Sequence, residues 1–206
     1  MRDQYYADNR DLIKWGVLLH LAETFEVRRI VQLAFYRPST FKQLQIDGKP
    51  QDIPKEVIAH FRDIQAISRI SAKVKVDVFS PILKSRDDHL EAILAYLTTL
   101  TEKCIVFLDP DTGLEPPRAV KRTHVLEKEA FNIWDHMKQE DVFVFYQHKI
   151  MFAKHSWIDL RKEQLANALG VPRDAIKMAN APEIANDVVF YFIQKPGCRM
   201  TNGVVA

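Results

Sequence analysis

The chain has 206 residues, 47% of them hydrophobic and 27% charged, which suits one globular domain with a continuous core. With 29 Lys and Arg against 27 Asp and Glu, the net charge of +2 excludes any strong field for steering it toward nucleic acid or an anionic membrane. Two cysteines, Cys104 and Cys198, exclude a disulfide framework and a Cys-rich zinc site, and the charged opening and lack of a long apolar run lead to the expectation of a cytoplasmic protein with no membrane partner.

Taken in chain order, Asp8-Asn9 precedes Leu12, Trp15, Leu18, Leu19, Ala22 and Phe25 at three- and four-residue spacing, which predicts an N-capped amphipathic helix. Ile30 to Tyr36 reads as the first strand. A polar loop, Arg37 to Gln51, leads to a second helix opened by Asp52 and Pro54, with Val57, Phe61 and Ile64 expected on its inward face. Val74, Val76 and Val78 alternate with Lys75 and Asp77 as a second strand, and Ser85 caps a helix bearing Leu90, Ile93, Leu94 and Leu97.

Cys104 to Leu108 is continuously apolar, as a central strand covered on both faces requires, and Asp109-Pro110 stops it. A basic linker, Arg118 to Arg122, enters a helix with Val125, Leu126, Ile133, Trp134 and Met137 on one stripe, and the strand Val142 to Tyr146 follows. Asp159 caps a helix through Leu165 and Leu169 that ends at Gly170 and Pro172. The short strand Ile176 to Ala179 and the strand Val188 to Gln194 complete the series.

Helical crossovers between the earlier strands make them parallel. The last two strands are joined by only about eight residues, Asn180 to Asp187, too few for a crossover, so the final strand is expected to be antiparallel. The fold class is therefore α/β, a three-layer Rossmann-like sandwich with a mostly parallel sheet, as a single domain over residues 1–206.

In such sheets ligands lie beyond the carboxyl ends of the strands, near the point where strand order reverses. The residues there are Tyr36 and Arg37 after the first strand, Asp77 and Ser80 at the second, Asp109 to Glu115 at the third, and Gln147 and His148 at the fourth. The turn Asp109-Pro110-Asp111-Thr112-Gly113 is the most informative, because a carboxylate on a rigid strand end accepts hydrogen bonds from an amine or binds a hard cation. Trp157, beside a polar loop, is a candidate for substrate contact. The six glycines stand too far apart for a P-loop or a G-x-G-x-x-G loop, so ATP and NAD enzymes of those types are excluded.

With the order of elements and the strand-terminal Asp-Pro, the chain resembles class I S-adenosylmethionine-dependent methyltransferases. Within them it looks most like the RlmJ-type ribosomal-RNA adenine methyltransferases and the three-Cys-motif partner proteins. Tyr6-Ala7-Asp8-Asn9-Arg10-Asp11-Leu12-Ile13-Lys14 is similar, with one gap, to the opening His-Ala-Gly-Asn-x-Ala-Asp-Val-Leu-Lys segment of that family, and Leu108-Asp109-Pro110-Asp111-Thr112 looks like a variant of Asp-Pro-Pro-Tyr. The resemblance implies a methyl transfer from S-adenosylmethionine to an amine of a nucleic-acid base. It implies that Asp109, with Asp111 beside it, orients the acceptor, and that Asn9, Lys14, Tyr36, Arg37 and Asp77 surround the cofactor. Thr112, His148 and Trp157 would then face the substrate.

Two departures leave other readings open. Thr112 replaces the expected aromatic, and Tyr36-Arg37-Pro38-Ser39 stands where that family has a Gly-rich loop. The alternatives are a catalytically inactive domain that binds a partner, or a hydrolase or phosphotransferase holding Mg²⁺ between Asp109 and Asp111. No structural metal is expected.

Overall fold

Six strands hydrogen-bond into one sheet in the order β4-β1-β5-β8-β10-β9 in the computed structural model, which describes residues 3, 8–40, 42–118, 120–149 and 157–197. In chain order the elements are α1 (Asn9–Thr24), β1 (Arg29–Ala34), β2 (Gln43–Ile46), β3 (Lys49–Asp52), α2 (Lys55–Phe61), β4 (Lys75–Phe79), α3 (Arg86–Thr98) and β5 (Ile105–Asp109). There follow β6 (Gly113–Leu114), β7 (His124–Val125), α4 (Glu127–His136), β8 (Val142–His148), α5 (Trp157–Leu169), β9 (Lys177–Ala181) and β10 (Ala185–Gln194). β1 pairs in parallel with β4 and β5, and β5 with β8, whereas β10 runs antiparallel to both β8 and β9. The expected α/β architecture and the antiparallel last strand are both present.

Alternation along the strands divides the core into two layers of side chains. On one face Ile30, Ile105, Phe107, Val142, Val144 and Phe190 pack against Ile13, Leu18 and Leu21 of α1. On the other, Val31, Leu33, Val106, Leu108, Phe143 and Tyr191 pack against α3, α4 and α5 through Ile93, Ile133, Trp134 and Leu165. Central β5 is buried along its whole length because both faces are covered, which is why its sequence is continuously apolar. Burying a side chain such as Phe107 contributes on the order of 1.5–3 kcal/mol.

The segment between β1 and β4 departs from expectation. The stretch read as a polar loop contains the β2–β3 hairpin, turned by Asp47 (φ 51°) and Gly48 (φ 71°), the Asp-Gly pair that a two-residue hairpin turn requires. The inward face expected for the second helix is also corrected: Val57 is 40% and Phe61 63% exposed, and α2 buries no residue. Seven residues are too few to span the sheet, and the covering is done by the 3-10 turn Ile64–Arg69, where Ile64 packs on Ala34. Val125 belongs to β7 rather than to α4, and Asp159 lies in the first turn of α5 rather than capping it.

Both predicted caps on α1 and α3 form: Asp8 accepts from the backbone N–H groups of Arg10 (2.8 Å) and Asp11 (3.1 Å), and Ser85 accepts from that of Asp88. In the first turn of α3, His89 is 5% exposed, with its ring centroid 5.0 Å from that of Phe35. Burial pushes its pKa down to about 4, beyond the opposing pull of its hydrogen bond to the Ala34 backbone. A base held below its unfolded value must take up a proton on unfolding, so stability falls as pH drops from 6.5 toward 4. The loss reaches up to about 3 kcal/mol from this group. In the His89→Gln variant, urea midpoints followed across that range should show a flatter pH profile; an unchanged slope would remove His89 from the account.

No described helix is long and apolar enough to cross a membrane.

Candidate functional site

Strand order reverses at β1, which is followed in the chain by β4 on one side and flanked by β5 on the other. Beyond the carboxyl ends of these strands lies a cavity of about 410 Å³, lined by residues of α1, the β1 and β5 ends, Thr123 and β8. That is the switch-point crevice of an open α/β sheet. Phe35 N–H donates to the Asp109 carbonyl at 3.3 Å and holds the two strand ends together.

Asp109 points to the α1 face because it follows Ile105 and Phe107 at two-residue spacing. Its carboxylate is buried, and Oδ2 accepts from Gln32 Nε2 at 2.5 Å and Lys14 Nζ at 3.0 Å. Lys14 Nζ also donates to Asp11 Oδ1 at 2.6 Å and lies 6.0 Å from the Phe107 ring centroid and 5.8 Å from that of Tyr146. Burial alone would discharge this ammonium, but the charges of Asp109 and Asp11 outweigh it and hold Lys14 above the ordinary lysine range. A charged lysine clamped between two carboxylates thus forms the floor.

A second cluster closes the side toward β10. Asp187 Oδ2 accepts from Arg10 Nη2 at 2.5 Å and lies 3.2 Å from His148 Nε2. Burial raises the Asp187 pKa, but the Arg10 hydrogen bond and charge win and hold it below the usual carboxylate range. Tyr146, two residues before His148 and on the same face, also lines the cavity, and burial drives its phenol pKa up. At the opposite wall Arg37 forms an ion pair with Asp111.

The turn after β5 is held from two sides. Thr112 donates through its backbone N–H (3.3 Å) and its hydroxyl (2.9 Å) to the Thr123 carbonyl. Gln147, fully buried on the far side of the sheet from Tyr146, accepts from Leu114 N–H at 2.9 Å and donates to the Thr112 carbonyl at 3.1 Å. Gly113 sits against that amide with φ 108°, so the turn has neither room nor backbone freedom for a side chain there.

Of the residues selected from sequence, Lys14, Arg37, Asp109, Asp111, Thr112 and His148 line this one cavity. The other four lie outside its lining. Asn9 is exposed at the start of α1. The Tyr36 hydroxyl donates to Asp3 Oδ2 at 3.2 Å, and burial pushes its pKa up to about 12. Asp77 pairs with Arg29 Nε at 2.5 Å, two residues short of the end of β4. Trp157, at 9% exposure, is a core residue at the start of α5 because its side chain joins the cluster on that face of the sheet.

Pro110 of the same turn also lines it, and Asp8, Arg10, Asp11, Thr123 and Tyr146, which were not selected from sequence, complete the lining. Two signals were legible: the three-residue spacing of Asp11 and Lys14, which pairs them on a helix, and the two-residue spacing of Tyr146 and His148, which puts them on one strand face. Arg10 carries no such signal, since Asp187 is 177 residues away.

No family model matches the chain, and no curated protein matches it. Among solved structures it is similar to a Clostridium thermocellum protein whose name carries a provisional rRNA-methylase assignment. Identity is 10% over 85% of this chain and 96% of that one, with a TM-score of 0.35. So loose a likeness carries no argument; the Rossmann-like fold rests on the strand order and pairing described above.

Proposed function

We propose that the protein is a methyltransferase-like enzyme that binds S-adenosylmethionine in this cavity and uses Asp109 to orient an acceptor amine, such as that of a nucleic-acid base. The observation that carries the reading is the buried Asp109 carboxylate at the switch point. Among the described residues its hydrogen-bond donors, Lys14 and Gln32, both reach Oδ2, so Oδ1 is left for a donor from the cavity. The residues also fit the cofactor in size and charge. A volume of 410 Å³ falls among small-molecule sites, and the lining offers both signs to a zwitterion, with Arg10 and Arg37 for its carboxylate and Asp8 for its amino group.

When bound, this cofactor supplies an electrophilic methyl group on a sulfonium. Oδ1 of Asp109 accepts an N–H hydrogen bond and so directs the nitrogen lone pair. Lys14 and Gln32 hold the carboxylate in one rotamer. Tyr146 is the large aromatic side chain of the lining, in a position sequence motifs did not indicate, while Thr112 turns its hydroxyl to Thr123.

The Mg²⁺ reading fits less well. Lys14 and Arg37 already set a fixed cation against each of Asp109 and Asp111, and among the described residues no group of three His, Cys, Asp or Glu is placed to hold a metal ion.

Calorimetry with S-adenosylmethionine tests the proposal, together with transfer of a labelled methyl group to an adenine-containing oligonucleotide. Binding is expected in the wild type and in Asp109→Asn, with transfer reduced about 100-fold in the variant. Folded protein that shows no binding at millimolar cofactor would overturn the enzyme reading and favour a partner-binding domain.

A further inference from the structure

A buried tyrosine ordinarily gives its hydroxyl a hydrogen-bond partner, because that group loses water on folding. Tyr191 follows the rule, donating to the Ile158 carbonyl at 2.6 Å. Tyr146 does not. It is 6% exposed, and its ring is fixed edge-to-face on Phe190 with centroids 5.6 Å apart. Yet the side chain lines the cavity, and among the described residues its hydroxyl makes no hydrogen bond.

The sheet sets the place of Tyr146 relative to Asp109. β5 and β8 pair in parallel with Leu108 opposite Phe145, so the next residues, Asp109 and Tyr146, leave neighbouring strands about 4.8 Å apart. Both turn to the α1 face, Asp109 after Ile105 and Phe107, Tyr146 after Val142 and Val144. Burial and then the charge of Asp109 push the phenol pKa up, with Arg10 opposing, so the hydroxyl keeps its proton across the neutral range. The cavity thus presents a carboxylate acceptor beside a neutral hydroxyl donor.

That pair is complementary to an amidine edge, in which an amino group and a ring nitrogen with an in-plane lone pair share one carbon. Adenine carries such an edge at its 6-amino group and N1. We propose that Tyr146 selects the acceptor, donating its hydroxyl proton to the ring nitrogen beside the amine that Asp109 holds. A ring lacking that nitrogen leaves the hydroxyl unpaired, which is how a site built for a hydrogen bond rejects an analogue. The proposal rests on the reading of Asp109 as the acceptor for the amine; it does not need the cofactor.

Calorimetry with adenosine, 1-deazaadenosine and 7-deazaadenosine tests it, since only 1-deazaadenosine lacks the nitrogen bonded to the amine-bearing carbon. Wild type should bind adenosine and 7-deazaadenosine alike and 1-deazaadenosine about tenfold more weakly, the scale of one hydrogen bond. Tyr146→Phe keeps the ring on Phe190, so it should melt like wild type and bind all three compounds alike. Adenosine isotopically labelled at N1 gives a second readout that needs no variant: its N1 resonance should move upfield on binding to wild type.

The titrations are repeated with saturating S-adenosylhomocysteine. Discrimination that disappears on its addition assigns the hydroxyl to the cofactor's own adenine and overturns the acceptor role. Discrimination by a protein that binds no S-adenosylmethionine upholds the role of Tyr146 while the cofactor reading falls. S-adenosylmethionine binding with no difference between adenosine and 1-deazaadenosine does the reverse. An N1 resonance that stays in place, a Tyr146→Phe variant that still tells the two apart, or folded wild type that binds no adenosine at millimolar concentration also overturns it.

Discussion

Replacing Lys14 with methionine is expected to lower stability by about 3–5 kcal/mol, because Asp11 and Asp109 then remain buried without the ammonium that balances them. The measurement is the urea midpoint at constant slope. Asp109→Asn in the Lys14→Met background should recover part of the loss, since it removes one of the two stranded charges. A cost below about 1 kcal/mol, the range of a surface ion pair, would mean that the cluster is not a buried unit. The sign with pH is fixed by the direction of the Lys14 shift. A lysine held above its ordinary value contributes in full below about pH 10 and loses that contribution only as pH rises further. The cluster is therefore at full strength across the neutral range.

Gly113→Ala is expected to cost about 2–5 kcal/mol, from backbone strain and from overpacking together. At φ 108° an L-residue is strained, and a Cβ there would lie 2.3 Å from Gln147 Oε1. Gln147 is a long side chain, but it yields only by giving up its bonds to Leu114 N–H and the Thr112 carbonyl. Adding Gln147→Ala should make Gly113→Ala less costly without abolishing the penalty, because the φ term remains. The same alanine should disturb ligand binding, since this turn carries Asp111 and Thr112 into the cavity. Equal stability of Gly113→Ala and wild type would show that the turn adapts.

Much of this was legible because it is local. Cys104 to Leu108 is apolar at every position, so a strand covered on both faces followed from five residues, and Asp109-Pro110 marked its end. The β2–β3 hairpin was equally legible in Asp47-Gly48, yet its polar residues read as a loop. Phe61 and Val57 misled for the opposite reason: helical spacing identifies an apolar stripe but does not say whether anything packs on it.

The turn from Asp109 to Gly113 was placed at the site by strand-end position alone, and Lys14 and Arg37 joined it through the resemblance and the end of β1. How they meet was not legible. Lys14 and Asp109 are 95 residues apart, and Arg10 and Asp187 are 177 apart. By itself the sequence determined the six strands of the main sheet and their order among the helices, the direction of the last strand and the end of the sheet where chemistry belongs, because periodicity and connection length act over a few residues. Only the tertiary structure decided which charges are partners and which sit in the crevice, because the energy of an ion pair depends on distance and burial in three dimensions.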